Sequence, residues 1–506
     1  MKSPWIESGH LPRFPKLAGN LNVDVAIVGG GITGITAAYL LKKAGRSVAL
    51  VERDRCAHVD TGHTTAHLTY VTDTRVSDLV KTFGRDHAQA SWEAGLAAMM
   101  QIRALVEDEK IECGYTSVPG YLHDRWKTPT KAEVERLRED AELALELGFD
   151  ARFVESVPFV NRAGIRFANQ AKFHPLRYLA GLLPRIAGDG SHVFENTEVT
   201  EFQADPLAVK ANQHTIRCDY LVIATHVPLM GTAGFVGATL LQTKLASYSS
   251  YAVGAKVPKG TLPEAIFADT DDPYYYLRVD RFPQHDYAIF GGEDHKTGQE
   301  TDADAHVQRL EEMFASIVPE AKVDARWTGQ VVETPDGLPY IGETAARQFV
   351  ATGFAGNGMT FGTLGAMMAT DAALGRKNPW RDLFDVNRKK LAAVWDYLKE
   401  NVDYPFYYIK DKLKAAEGTT LDELKRGEGK ILKLEGQRVA AYRDTHGRVT
   451  KLSPVCTHLG CIVHWNQADS TWDCPCHGSR FQATGEVLAG PAETALEEIS
   501  TTTGKK

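Results

Sequence analysis

DVAIVGGGITG, residues Asp24 to Gly34, is the stretch that decides the fold of this 506-residue chain. Asp24-Val-Ala-Ile-Val28 is a short apolar run of the kind buried in a parallel sheet. It leads straight into Gly29-Gly-Gly31-Ile-Thr-Gly34. Helical spacing follows through Ala37, Ala38, Leu40 and Leu41 and stops at Gly45, a helix C-cap signal. A second apolar strand, Ser47 to Val51, runs into Glu52. Strand, glycine loop, helix, strand and acid in this order form a βαβ dinucleotide fingerprint. Gly29 permits the tight turn, Gly31 lets a pyrophosphate approach the backbone, and Gly34 lets helix pack on strand. Ile32 and Thr33 open the helix whose free N–H groups face the phosphates. Glu52, followed by Arg53, would accept hydrogen bonds from ribose hydroxyls.

This unit alone does not choose between FAD and NAD. Other segments bear on the choice. Asp219 to Thr225 is another apolar strand, ending in the small turn Ala224-Thr225, and it follows a strand expected around Val199. Much later come TPDGLPYIG (Thr334 to Gly342) and ATGFAGNGMTFG (Ala351 to Gly362). The loop Gly356-Asn357-Gly358-Met359-Thr360 opens a helix expected over Thr363 to Leu374. It would present N–H groups and a positive dipole end to the negative charge that a reduced flavin develops.

Near the C-terminal end stand CTHLGC (Cys456 to Cys461) and CPCHGS (Cys474 to Ser479). Cys456, His458, Cys474 and His477 offer two thiolates and two imidazoles, the ligand set of a Rieske [2Fe–2S] centre. Zinc is the competing reading, because a Cys2His2 set also suits a closed tetrahedral site. Cys461 and Cys476 speak against zinc, being placed so that the two loops can be tied across a cluster. Cys56, Cys113 and Cys218 are scattered and read as small buried hydrophobes.

The two boxes closely resemble those of the Rieske proteins of cytochrome bc-type complexes. That resemblance implies that Cys456, His458, Cys474 and His477 bind iron and that Cys461 and Cys476 form a disulfide. High-potential members continue to a tyrosine that hydrogen-bonds a ligand sulfur, where this chain has Phe481. Ser479 is left to bond a bridging sulfide, so the potential is expected toward the lower part of the Rieske range, about −150 to +300 mV. The glycine-loop segments, together with GHTTAHLT (Gly62 to Thr69), resemble the D-amino-acid oxidase and sarcosine oxidase superfamily over residues 20–375. The resemblance implies FAD as cofactor, with Thr64, Thr65 and Ala66 near it. A covalent flavin link at His63 is the less favoured alternative to a hydrogen-bonding role. The whole chain is similar to bacterial FAD-dependent oxidoreductases with a fused Rieske domain.

The expected architecture is α/β: a Rossmann-like FAD-binding domain with a β-rich substrate subdomain, then a small all-β Rieske domain. Residues 1–385 form the oxidoreductase domain, with discontinuous FAD-binding parts near 20–75, 160–240 and 325–380. The substrate subdomain takes about 76–160, expected to be helix-rich to 150, and 241–325. A helical linker spans 386–420, with Leu391, Val394, Trp395 and Leu398 on one face, and 421–506 is the Rieske domain. Candidate roof strands lie at Tyr248 to Val257, around Phe267, at Tyr274 to Val279 and at Tyr287 to Phe290.

Net charge of −8 gives no support for nucleic-acid binding. No apolar run reaches the length of a membrane span, and the N-terminal residues carry no signal-peptide pattern, so a cytoplasmic location is expected. Flavin performs the redox chemistry itself, so catalytic candidates are groups that orient the substrate. Arg278 is a candidate carboxylate clamp, with Tyr276 on the same strand face. His295, after Gly291-Gly-Glu-Asp294, is a third. The expected activity is an FAD-dependent dehydrogenase of a small amine, amino acid or related substrate. Its electrons would pass singly through the cluster to an external carrier. The alternatives are a reductase running the other way and a non-catalytic redox sensor. No second GxGxxG unit offers a pyridine nucleotide site.

Overall fold

A computed structural model describes residues 3–229, 241–242, 244–300, 302–388 and 416–499. The fingerprint folds as its pattern dictates. Strand Leu21–Val28 is followed by helix Ile32–Lys43 and strand Val48–Val51, and the two strands pair in parallel. Val25 and Ile27 pack into one core cluster, and Val23, Ala26 and Val28 pack into another. Both faces of the strand are buried, which is why it reads as a continuous apolar run rather than an alternating one. The sheet continues in the order Tyr340–Ala345, Gln348–Thr352, His214–Ile223, Leu21–Val28, Val48–Val51, His192–Phe194. Val199–Ala204 and Leu207–Ala211 form an antiparallel extension at its side. Helix Gly358–Ala373 lies against helix Ile32–Lys43, and both are buried along most of their length.

A second sheet of nine strands roofs the first unit. Its long antiparallel strands are Ala246–Val257, Asp286–Lys296 and Lys322–Glu333. Tyr276–Arg281, Ile266–Asp269, Thr116–His123 and Gly164–Lys172 extend it. The region 76–150 holds helices Val76–Phe83, Arg85–Asp108 and Lys131–Glu146, but strand Thr116–His123 passes between them into the roof. Gly164–Lys172 and Lys322–Glu333 also join the roof sheet, so the chain weaves between its two sheets more finely than the expected boundaries. The expected helix with Leu391, Val394, Trp395 and Leu398 lies outside the described residues.

The C-terminal region is all β. Glu428–Leu434, Gln437–Arg443 and Val449–Leu452 form one antiparallel sheet. His464–Asn466, Thr471–Asp473, Arg480–Gln482 and Val487–Ala489 form another. Cys456, Cys461, Cys474 and Phe481 share its core with Trp472 and Val463. Among the described residues no helix is long and apolar enough to cross a membrane.

Candidate functional site

The glycine loop is held by contacts that a side chain would break. Gly29 has φ +106°, and a Cβ there would lie 2.4 Å from the Ala224 carbonyl oxygen. A Cβ on Gly34 would fall 1.9 Å from the Gly29 oxygen, so helix and strand touch only because it is absent. Gly30 N–H donates to Glu52 Oε2 at 2.7 Å, and Asp54 N–H donates to Oε1 at 2.9 Å. Each oxygen keeps a second lone pair. Burial pushes the Glu52 carboxyl above its ordinary pKa, while these two N–H groups pull it back.

A cavity of about 1800 Å³ opens from this loop. Gly29, Gly31, Ile32, Thr33, Glu52 and Arg53 line its first end. Val199, Ala224 and Thr225 close one side, and Thr64 and Thr65 line another. Gly356, Asn357, Gly358 and Met359 bring the N-terminus of helix Gly358–Ala373 to the wall. Gly34, Ala66 and Thr360 stand behind the lining. Ala66 is fully buried at φ +56°, and Thr360 Oγ1 donates to the Thr69 carbonyl at 2.9 Å. His63 lines the cavity with its Nδ1 on the Val59 carbonyl at 2.8 Å. Thr61 had no motif to announce it. Its hydroxyl accepts from Ile32 N–H at 3.2 Å, so it meets the first turn of the fingerprint helix.

Under the roof, Tyr276 lines the cavity, packed edge-on against His67 and 3.3 Å from the Ser250 hydroxyl. Arg278 does not reach the cavity, which corrects the carboxylate-clamp expectation. Its Nη1 donates to the Thr65 and Ala66 carbonyls at 3.0 and 2.7 Å, and its Nη2 to Phe173 O at 2.9 Å. Nε and Nη2 both reach Asp280 Oδ1. All five guanidinium donors are thereby spent. His295 is corrected in the same way: Nε2 meets the Tyr251 hydroxyl at 2.9 Å, Nδ1 lies 3.1 Å from Lys296 O, and the ring is outside the cavity lining.

Its neighbour Asp294 lines the cavity instead, together with Asp73. Asp73 accepts from the Tyr274 hydroxyl at 2.9 Å and from Asn357 Nδ2 at 3.2 Å. Burial raises the Asp73 carboxyl to about 6 and, with the Asp73 charge adding to it, the Asp294 carboxyl to about 7. Asp294 Oδ1 is buried without a hydrogen-bond partner. Burial drives His67 down to about 3, so this imidazole is neutral.

The first cluster box reaches the same cavity through Thr457 and His458. Cys456 and Cys474 are buried free thiols, and the rings of His458 and His477 stand 5.0 Å apart. Cys461 and Cys476 form the disulfide that the resemblance implied, with Cα atoms 6.6 Å apart. The neighbouring Cys474 sulfur holds the Cys456 thiol below its ordinary range, while Cys456 and burial push Cys474 up. Gln242, from the first unit, donates from Nε2 to Pro228 O at 2.7 Å, so its Oε1 faces His458 Nε2 at 3.1 Å. That acceptor requires the proton on Nε2 and leaves Nδ1 as a bare lone pair. His458 Nδ1 is indeed buried with no partner. Two buried thiols and an unpartnered imidazole nitrogen fit a two-cysteine, two-histidine iron centre. Ser479 sits beside the Cys456 sulfur, and its Oγ accepts from Ala492 N–H at 3.1 Å.

His458 and Thr457 line the cavity alongside the glycine loop, and Arg53 donates to Leu488 O at 3.1 Å across the same junction. The flavin cradle and the cluster loops therefore face one space.

Comparisons agree with this construction. The family model for FAD dependent oxidoreductase matches residues 24–372, and that for the Rieske [2Fe-2S] domain matches residues 418–500. The chain is 32% identical over 503 residues to a putative Rieske 2Fe-2S iron-sulfur protein, YhfW, of Bacillus subtilis, covering 98% of this chain and 97% of the relative. It is 23% identical over 363 residues to gamma-glutamylputrescine oxidoreductase of Escherichia coli, covering 69% of this chain and 82% of the relative. The fold is similar to that of the crystal structure of glycine oxidase from Geobacillus kaustophilus, with a TM-score of 0.60 and 19% identity. That match covers 73% of this chain and all of that one.

Proposed function

We propose that this chain, which belongs to the FAD dependent oxidoreductase family and carries a Rieske [2Fe-2S] domain, dehydrogenates a small organic amine or amino acid and passes the electrons singly through its cluster to an external carrier. The observation that supports this most directly is the shared cavity, lined by both the GGGITG loop and His458. Bound FAD supplies the two-electron chemistry, and a Rieske centre takes one electron at a time.

The chain's own residues shape the substrate end. Asp73 and Asp294 both line the cavity, and two carboxylates there favour a substrate that brings an ammonium group. Tyr274 and Tyr276 wall the space, and the Tyr274 hydroxyl holds Asp73 in place. The names of the relatives, a gamma-glutamylputrescine oxidoreductase and a glycine oxidase, support the same amine and amino-acid class. A cytoplasmic site of action goes with this reading.

An anaerobic screen tests it. Holoenzyme is mixed with a panel of amines and amino acids while flavin absorbance and the cluster's paramagnetic signal are followed. The expected result is flavin bleaching by an amine, then reduction of the cluster. If no candidate bleaches the flavin, and a small reduced electron-transfer protein loads the cluster first, the reverse direction replaces this one. Redox-dependent partner binding without any turnover would leave the sensor reading.

A further inference from the structure

Two glutamines of the flavin unit hold the two cluster loops. Gln242 faces His458, and Gln330 donates from Nε2 to the carbonyl of Gly478, the residue after His477, at 2.8 Å. Gln330 belongs to strand Lys322–Glu333, is 5% exposed and lines the cavity. Its other end, Oε1, is buried with no donor. One side chain thus holds the cluster loop and lines the flavin cavity.

Around it the junction is too close for added atoms. A Cβ on Gly478 (φ +71°) would lie 2.3 Å from Ser247 Cβ, and one on Gly298 (φ +77°) 2.6 Å from the Cys474 carbonyl carbon. His464 Nδ1 sits 2.8 Å from Gly298 O, Gln299 donates to Pro475 O at 3.2 Å, and Thr328 donates to Asp469 at 2.5 Å. These contacts come from three separate stretches of the flavin unit, Ser247, Gly298–Gln299 and Thr328–Gln330, and meet both the second cluster box and the strands beside it.

We propose that the Rieske domain is permanently seated in the position from which it exchanges electrons with the flavin, and that Gln330 is the positioning residue that bridges the two sites. Each transfer moves one electron between flavin and cluster, and an external one-electron partner resets the cluster before the next. No domain swing is needed. The inference rests on both cofactors being bound and not on the direction of flow.

The test uses holoenzyme in which the flavin is photoreduced by a deazaflavin donor, so no substrate need be known. Gln330→Met keeps volume and removes both hydrogen-bonding ends. It is expected to slow flavin–cluster equilibration at least tenfold, with flavin content, cluster potential and cluster spectrum unchanged. A Thr328→Cys, Asp469→Cys pair is expected to cross-link in both apo-protein and holoenzyme and to equilibrate at the rate of its reduced, unlinked form. Equilibration of Gln330→Met at the wild-type rate would overturn the bridging role. Loss of transfer on cross-linking, or failure to cross-link, would overturn the fixed seating. An amine screen that fails while equilibration stays fast refutes the proposed substrate class and leaves this inference standing.

Discussion

Tyr274 and Asp73 are separated by 201 residues of chain, yet the phenol donates to the carboxylate at 2.9 Å across the cavity. The tyrosine comes from the roof, and Asp73 is also held by Asn357 at the start of the flavin-facing helix. Both residues line the cavity. Asp294 lines the same cavity, so two carboxylates share a space that burial makes costly for both.

Asp294 gives a pH test whose sign can be worked out. Its folded-state pKa, about 7, lies above its ordinary 3.8, so the folded protein holds this proton more tightly than the unfolded chain. Stability therefore falls as pH climbs from about 4 to about 7. Asp294→Asn is expected to gain about 1 kcal/mol or more over wild type at pH 8 and little at pH 4, measured by urea unfolding. Amine binding to the oxidised enzyme should tighten as pH rises through 7. The variant should bind about tenfold more weakly and lose most of that pH dependence.

Arg278 is expected to matter for folding rather than for substrate. Arg278→Leu strands three carbonyls and removes a partner of Asp280, which Lys172 also contacts at 2.8 Å. A loss of about 3 kcal/mol or more is expected in denaturant unfolding. A stable variant with a raised KM only for carboxylate-bearing substrates would restore the clamp.

Gly34→Ala places a methyl group where the Gly29 oxygen already lies. Overpacking of this kind costs about 1–3 kcal/mol. FAD retention on gel filtration should drop sharply, while the Rieske cluster, built on separate strands, keeps its spectrum.

Phe481 is fully buried in the core that also holds Cys456 and Cys474, and it brings no hydroxyl to their sulfurs. Phe481→Tyr is expected to raise the cluster potential, read by redox titration. A variant that folds, carries the extra hydroxyl and titrates at the wild-type potential would show that this position does not tune the cluster.

The strands, the fingerprint and the cluster boxes were legible because each is a local pattern whose spacing is set by backbone geometry. The cavity wall was harder to read. His295 and Asp294 are adjacent on a strand, and the side chains of adjacent strand residues point to opposite faces. The pairing Ser249 with His295 and Tyr251 with Gly292 shifts register at Ser250, with Glu293 at φ +61°. An irregularity of this kind re-aims side chains and breaks the period-two count. Arg278 shares the strand face of Tyr276, but carbonyls from Thr65, Ala66 and Phe173 capture it before it reaches the cavity.

The amino-acid sequence by itself determined the kind of cofactor: glycines at fixed offsets announce a dinucleotide and two cysteine–histidine boxes an iron–sulfur centre, while the choice of FAD came from resemblance over a longer stretch. Only the tertiary structure decided which acids face the flavin space and that Gln242 and Gln330 hold the cluster loops. Those relationships join residues well over a hundred positions apart, and no local spacing encodes a contact made by folding two sheets and a third domain onto one cavity.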